Sequence, residues 1–302
     1  MIRLSRAGLV AAALALSSLA LSAPVAAADV TIATAKGPVT LPAGPATVAV
    51  LDVAAIDTIG ALGVMPAAVP DKLYVGYLGT EAAAPRAGTL FEPDLEALAN
   101  LGPDLIIAGG RSATKVAALA EVAPTIDMTM GPDLLAEAQA RIAAYGALFG
   151  KADKAAELSA ALEAKLAAAR AATAGKGRAL ILQTNGPKVS AYGKGSRFGW
   201  IHTALDLPEA HASLSPEVHG DAVSFEFIAE TNPDWLIVID RASAIGEASS
   251  AQATLDNPLV KGTTAGQRGQ IVYLSPAPIY IAGGGFRSLT GTLDELIAAF
   301  GK

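Results

Sequence analysis

The chain has 302 residues, of which 52% are hydrophobic and 5% aromatic, and it carries a formal net charge of −6. An acidic chain with scattered lysines and arginines is poorly suited to the polyanionic backbone of nucleic acids, so we exclude a nucleic-acid partner. The absence of cysteine excludes disulfides, thiolate metal sites and cysteine nucleophiles, and three histidines are too few for a His-rich zinc or manganese site.

Residues 1–28 have the composition of an export signal. Arg3 and Arg6 give a basic start, residues 7–21 are apolar but too few to span a bilayer, and three alanines precede Asp29. We therefore predict a protein exported to the periplasm of a two-membrane bacterium and cleaved near Asp29. No cysteine is present to carry a lipid anchor, and a retained membrane anchor is the alternative.

The rest of the first half alternates between strand and helix patterns. In order, it predicts a hairpin over 30–41, a strand over 47–51, a helix over 52–62, a strand over 64–69, a loop covering a cleft mouth over 71–86, a helix over 116–122, a strand over 124–128 and a helix over 133–149. Such alternation is typical of an α/β protein with parallel sheets.

The longest predicted helix, over 151–174, is rich in alanine and has Leu158, Leu162 and Leu166 four residues apart. It either joins two lobes as a stiff rod or packs as an ordinary helix. The second half then predicts strands over 178–182, 189–192 and 270–274, a loop over 217–221, a mobile turn at 283–285 and a closing helix over 289–300.

A duplicated stretch organises the two halves. Residues 96–111 and 226–241 each begin with Glu, contain Pro-Asp, continue through an apolar run and end in Arg. Each proline should stop a short helix, and each apolar run has the length of a fully buried strand. Because ligands gather at the carboxyl ends of parallel strands, the copies predict two lobes with a cationic cleft between them.

Three arginines, Arg111, Arg197 and Arg241, are predicted to face that cleft. Arginine presents a planar fork of donors to oxygen anions and also stacks on aromatic rings. The expected ligand is therefore both anionic and aromatic. The glycine-rich segment 193–199, which contains Arg197, would also let backbone N–H groups approach an anion at a helix start, although the spacing of a phosphate loop is absent.

Two further residues, His219 and Tyr280, are candidates for binding a metal. A single loop histidine is more often a bystander, and a tyrosine before a triple-glycine turn is usually a lip residue. Across one cleft, however, they would supply one nitrogen and one phenolate oxygen, and phenolate is a ligand of ferric iron.

The two glutamates that open the duplicated stretches, Glu96 and Glu226, have two interpretations. Each favours the dipole of a short helix, or together they form acidic knobs that dock a two-fold partner. A catalytic function is disfavoured because no G-x-S-x-G, H-E-x-x-H or dinucleotide motif occurs. A secreted hydrolase would have to use Ser196 with His202, which do not face each other well at a six-residue spacing.

Four blocks carry a family resemblance: 91–96 (FEPDLE), 193–202 (GKGSRFGWIH), 231–235 (TNPDW) and 280–285 (YIAGGG). Together they resemble periplasmic ferric-siderophore-binding proteins of ABC importers, in the subgroup that handles catecholates of the enterobactin type. The resemblance covers essentially the whole chain after the leader, and the Gly-Ser-Arg-Phe-Gly block is its most specific part.

The resemblance implies a class III periplasmic binding protein, with two Rossmann-like α/β lobes and parallel-rich sheets joined by a single long helix. The corresponding domains are the signal 1–28, an N-terminal lobe 29–150, an interlobe helix 151–175 and a C-terminal lobe 176–302. The protein would be a monomer with no enzymatic activity and no intrinsic cofactor. A carrier of haem, cobalamin or hydroxamate siderophores is the alternative within binding proteins.

The resemblance also implies roles for individual residues. Arg111, Arg197 and Arg241 would contact catecholate oxygens of an Fe(III) siderophore. His219 and Tyr280 would ligate the iron directly when a tetradentate siderophore supplies only four donors. The resemblance further implies that the two glutamates opening the duplicated stretches contact arginines of an inner-membrane ABC permease.

Overall fold

The computed structural model describes residues 29–248 and 250–301, so the predicted leader lies outside the described residues. The first half contains strands β1 (Asp29–Thr34), β2 (Gly37–Pro42), β3 (Val48–Val50), β4 (Leu105–Ala108) and β5 (Thr125–Asp127), and helices α1 (Val53–Ala61), α2 (Leu95–Leu101), α3 (Val116–Ala120) and α4 (Leu134–Leu148). The predicted hairpin, strands and helices are present here, with one exception among the strands.

The first sheet runs in the order β3-β4-β5 and is parallel throughout. Every residue of β3 and β4 is buried, as expected for strands covered on both faces. The predicted strand over 64–69 is wrong: this segment only forms single parallel bridges, Ala49 with Ala68 and Val69 with Arg86. Pro66 lies within it and has no N–H to donate, which interrupts a regular ladder.

Helix α5 (Ala152–Thr173) is the long helix that the sequence predicts. At 22 residues it spans roughly 33 Å. Its buried face carries Leu158, Leu162 and Leu166 and packs on α4 and on the C-terminal helix α13 (Phe286–Phe300). Thr173, its last residue, donates to the carbonyl oxygen of Leu205 at 2.9 Å, so the helix that joins the halves is also anchored at its C-terminal end.

The second half contains β6 (Ala179–Asn185), β7 (Lys188–Tyr192), β8 (Asp221–Ala222), β9 (Trp235–Asp240) and β10 (Ile271–Tyr273), together with α6 (Trp200–Ala204), α7 (Phe225–Thr231), α8 (Arg241–Ala244), α9 (Ala251–Leu255), α10 (Pro258–Lys261), α11 (Thr264–Arg268) and α12 (Pro276–Ile281). Its sheet runs β10-β9-β6-β7-β8, parallel across β10, β9 and β6 and antiparallel beyond. The predicted two-lobed α/β fold with parallel-rich sheets is confirmed.

The duplicated stretch folds the same way twice. Helices α2 and α7 each have seven residues, begin at a capping side chain and end at a left-handed residue, Gly102 or Asn232. The aspartate of each Pro-Asp then accepts a hydrogen bond from the residue just before the neighbouring strand: Asp104 Oδ2 from Thr47 N at 2.8 Å, before β3, and Asp234 Oδ2 from Arg178 N at 2.8 Å, before β6. Each copy therefore fixes the register between two neighbouring parallel strands.

The start of α13 is anchored on the first half of the chain. Buried Asp57, on α1, accepts hydrogen bonds from Arg287 N at 2.8 Å, Ser288 N at 2.9 Å and the hydroxyl of Tyr77 at 2.8 Å. The guanidinium of Arg287 also donates to buried Glu81 at 2.8 Å. Burial raises the pKa of Asp57 to about 6 against these hydrogen bonds, so the carboxylate is held in an environment that disfavours its charge.

The triple-glycine turn, which the sequence predicts to be mobile, packs closely against the same anchor. A side chain at Gly285 would come within 2.6 Å of Asp57 Oδ2, and one at Gly284 within 2.7 Å of Met130 Cε. Both glycines are buried, and Gly284 has φ +91°, a conformation that glycine adopts without strain.

Among the helices of the described chain, none is long and apolar enough to cross a lipid bilayer.

Candidate ligand-binding site

A cleft of about 640 Å³ lies between the two halves of the chain. Its walls are formed by residues 52–54, 90–91, 109–111, 129–132 and 134 from the first half, and by 195–198, 200, 218, 241, 279–281 and 283 from the second. The loop over 71–86, which the sequence places across the cleft mouth, contributes none of these residues. It instead supplies Tyr77 and Glu81 to the anchor of α13.

The structure brings the three predicted arginines together around Tyr280. Arg111 Nη2 and Arg197 Nη2 donate to the carbonyl oxygen of Tyr280 at 3.2 and 2.7 Å, and Arg241 Nε donates to its hydroxyl at 3.0 Å. The three guanidinium carbons lie 5.3, 4.3 and 5.8 Å from the centre of its ring. Three half-buried cations therefore share one aromatic residue inside one cleft.

The duplicated stretch places two of these arginines. Arg111 follows β4, where Ser112 Oγ accepts from Gly109 N at 3.0 Å and donates to Leu51 O at 3.2 Å. Gly110 N donates to Thr129 Oγ1 at 3.0 Å. Arg241 is the first residue of α8, directly after β9, so both cations stand at carboxyl ends of parallel strands, as predicted.

Arg197 is positioned by its neighbour Phe198. The buried ring of Phe198 packs edge-on against Tyr192, with centres 4.8 Å apart, and lies 5.5 Å from the Arg197 guanidinium carbon. Burial lowers the pKa of Arg197, and the charge of Arg111 lowers it further, while Tyr280 opposes both effects. The side chain still keeps its charge at neutral pH, because an arginine is in practice never deprotonated in a protein.

Tyr280 responds to the cations around it. Burial by itself would raise the pKa of its phenol, but the hydrogen bond from Arg241 and the charges of Arg197, Arg241 and Arg111 outweigh burial and lower it. The phenolate form is therefore easier to reach here than in water. The sequence predicts Tyr280 at the cleft as a candidate iron ligand, but it gives no sign that three cations surround this residue.

Asn185 is a residue of the site that sequence reasoning missed. Its Oδ1 accepts from Arg241 Nη1 at 3.1 Å, which fixes the plane of that guanidinium. The sequence predicts that Asn185 belongs to an Asn-Gly turn, and in the structure Asn185 is the last residue of β6, directly before Gly186. Asp52, also missed, lines the cleft while its Oδ1 caps α1 through Ala55 N at 3.0 Å.

The structure places His219 on an exposed loop beside the cleft. Val218 lines the cleft and His219 does not. The loop is ordered by its own hydrogen bonds, including Ser215 N to Asp221 Oδ2 at 2.6 Å. In the described residues, no group of three or more His, Cys, Asp or Glu side chains comes together in a way that would hold a metal ion.

Two glycines of the glycine-rich segment are required by close packing of the backbone. A side chain at Gly193 would come within 2.8 Å of Leu214 Cβ, and one at Gly199 within 2.2 Å of the Gly193 carbonyl oxygen. The N–H of Gly199 donates to Ser196 O at 3.0 Å rather than toward a ligand. These glycines permit close backbone packing that supports Arg197.

The residues of the hydrolase alternative are engaged elsewhere. Buried Ser196 donates from Oγ to Gly193 O at 2.5 Å, and buried His202 uses Nδ1 with Leu207 O at 3.0 Å. Burial lowers the pKa of His202. Neither side chain is arranged to activate the other, so this pair does not form a catalytic site.

The two glutamates occupy equivalent positions outside the cleft. Glu96 and Glu226 are each the second residue of their helix, α2 or α7, and both are exposed. Hydrogen bonds from its own backbone and from Ser224 lower the pKa of Glu226. Their docking role stays a prediction.

The chain is similar to known proteins over most of its length. A family model described as periplasmic binding protein matches residues 48–278. The petrobactin-binding protein YclQ of Bacillus subtilis is 34% identical over 85% of this chain and 83% of its own, and its crystal structure superposes with a TM-score of 0.85 over 91% and 99% of the two chains.

Two further proteins are similar. The ferric-anguibactin-binding protein FatB of Vibrio anguillarum is 26% identical over 85% of this chain and 83% of its own. The catecholate-siderophore-binding protein VctP of Vibrio cholerae is 30% identical in structural superposition, with a TM-score of 0.83 over 90% of this chain and all of the other. By its sequence and its fold, this chain belongs to the periplasmic binding protein family and is a binding protein rather than an enzyme.

Proposed function

We propose that this protein captures an anionic ferric catecholate siderophore and delivers it to an ABC permease of the inner membrane. The observation that carries the proposal is the convergence of Arg111, Arg197 and Arg241 on Tyr280 within one cleft. The chain as a whole is acidic, so attraction for an anion has to come from these local charges.

The geometry suits catecholate oxygens in particular. A guanidinium offers parallel N–H donors to a pair of oxygens on one ring, and charge-assisted hydrogen bonds of this kind are about twice as strong as neutral ones. The arginines already lie against an aromatic face, that of Tyr280, which shows the stacking geometry that a catechol ring would also accept. Relatives that bind petrobactin, ferric anguibactin and catecholate siderophores support the same ligand class.

Titration with an iron bis-catecholate tests the proposal. Because Trp200 lines the cleft, we expect saturable quenching of its fluorescence by a coloured chelate bound there. Ferrioxamine-type hydroxamate, haem and cobalamin serve as competing ligands of the other carrier classes. Saturable binding of one of these with no response to the catecholate would assign the protein to that class instead.

The iron in such a complex would arrive already chelated, and His219 and Tyr280 are proposed to complete its coordination. We expect H219A and Y280F each to weaken an iron bis-catecholate by about tenfold, the loss of one good ligand contact, and to leave a hexadentate tris-catecholate within about twofold. Isothermal titration calorimetry measures both. Equal losses for the two chelates would show that neither residue touches iron.

Delivery of the ligand is proposed to use two exposed glutamates. Glu96 and Glu226 stand on matching helices, one from each copy of the duplicated stretch, and would dock arginines of a two-fold permease. The protein would act as a periplasmic monomer after removal of residues 1–28. Residues 29–150 and 176–302 would form its lobes and 151–175 the helix between them.

A further inference from the structure

Two exposed apolar side chains stand at the cleft. In the part of the chain that the structure describes, Phe91 and Val218 are the most exposed of the large hydrophobic residues, with 59% and 58% of their surfaces accessible. Both line the cleft, and one comes from each half of the chain. Exposing apolar surface to water is unfavourable, so two such residues at one site indicate an apolar partner there.

Phe91 is held in place by a hydrogen-bonded turn. The hydroxyl oxygen of Thr89 accepts from Phe91 N at 3.3 Å and from Glu92 N at 2.9 Å, and Thr89 N donates to Glu92 O at 2.9 Å. The carboxylate of Glu92 then pairs with Lys115 at 2.6 Å. The ring is therefore presented at the cleft by an anchored backbone.

Val218 is presented in a comparable way. Ser215 Oγ accepts from Glu217 N at 3.2 Å, and Gly220 N donates to Glu217 O at 3.0 Å, which closes a turn around Val218. Pro216 lies 3.0 Å from where a side chain at Gly195 would begin, so the loop rests on the segment that carries Arg197. Val218 is therefore carried by a loop that packs against the segment bearing Arg197.

We infer that Phe91 and Val218 form an apolar rim that covers the aryl rings of the bound chelate while the arginines hold its oxygen atoms. This inference rests on the proposed function and narrows it. A chelate whose periphery is aromatic buries ring surface against both residues, whereas a chelate built from aliphatic carboxylates has nothing to bury there. The rim selects aryl chelates from among the anionic complexes that the arginines would otherwise accept.

The test compares two probes of the same sign of charge, an iron bis-catecholate and ferric citrate, on F91S, V218S and the double variant. Each single substitution is expected to weaken the bis-catecholate by about tenfold, because roughly 50–60 Å² of apolar contact is lost, and to change ferric citrate less than twofold. M65S is the matched control, since Met65 is 52% exposed but does not line the cleft. It should change neither affinity.

The outcomes separate this inference from the proposed function. Wild-type protein that binds the bis-catecholate while F91S and V218S bind it equally well would overturn the rim and leave the function standing. Equal losses for both chelates would also overturn it, because the residues would then act on the fold or on the arginines. Wild-type protein that binds no ferric catecholate would overturn both.

Discussion

Replacing Arg197 with alanine is expected to weaken binding of an iron bis-catecholate by about a hundredfold, or ~2.7 kcal/mol. Arg197 stacks closest on Tyr280, at 4.3 Å, and makes the shortest of the three arginine hydrogen bonds to that residue, at 2.7 Å. Burial has already removed part of its hydration, so forming a charge-assisted bond to the ligand costs little additional desolvation. The same change leaves the ligand oxygens facing a cleft with one cation fewer.

Calorimetric titration of R197A and R197K measures this effect, with R268A as the control. Arg268 is exposed at the end of α11, and its removal changes the net charge by the same amount. Lysine at 197 keeps the charge but not the fork, so R197K should lie between wild type and R197A. If R268A weakened binding as much as R197A, general attraction by net charge would replace the specific contact as the explanation.

Replacing Asp57 with alanine is expected to lower the free energy of unfolding by about 3 kcal/mol. The substitution leaves two backbone N–H groups at the start of α13 and the hydroxyl of Tyr77 without their acceptor. The charge that the protein no longer has to bury offsets part of this loss, which is why the estimate is below the sum for three buried donors. Urea denaturation followed by circular dichroism measures it.

Asn at this position provides the control and a test of the raised pKa. The pKa of Asp57 is about 6 when folded and 3.8 in its reference state, so the folded protein holds the proton more tightly. The contribution of Asp57 to stability is therefore greatest below pH ~4 and falls by about 3 kcal/mol as the pH rises to ~6. D57N should lack this fall, and a D57N curve parallel to wild type from pH 4 to 7 would contradict the assignment.

The features that could be predicted from the sequence are those that depend on residues close to one another along the chain. The duplicated pattern fixes a capped helix, a turn and a buried strand from within about sixteen residues, and it carries Arg111 and Arg241 to strand ends each time. Arg197 could also be predicted from its immediate neighbours, because the glycines of segment 193–199 indicate an unusual backbone conformation there. Local periodicity and punctuation were enough for these elements.

The features that could not be predicted depend on residues distant along the chain. Arg111 and Tyr280 are 169 positions apart and Asp57 and Ser288 are 231 apart, and no local pattern relates the members of either pair. The sequence therefore predicts Tyr280 at the cleft but not the three cations that surround it. The segment 64–69 failed for the opposite reason: its local apolar pattern suggested a strand, while Pro66 removed one of the donors that a ladder requires.

The attachment of α13 to α1 has a consequence for transport. The two halves of the chain are joined by α5 and are clasped a second time where Asp57 holds the last helix. Two connections of this kind restrain the two halves from moving far apart and opening the cleft widely. Under the proposed function, the ligand-free and the ligand-bound protein would then present nearly the same surface to the permease. The ligand-free protein would compete for the permease almost as well as the ligand-bound one, and the rate of uptake would depend on the fraction of the protein that carries ligand.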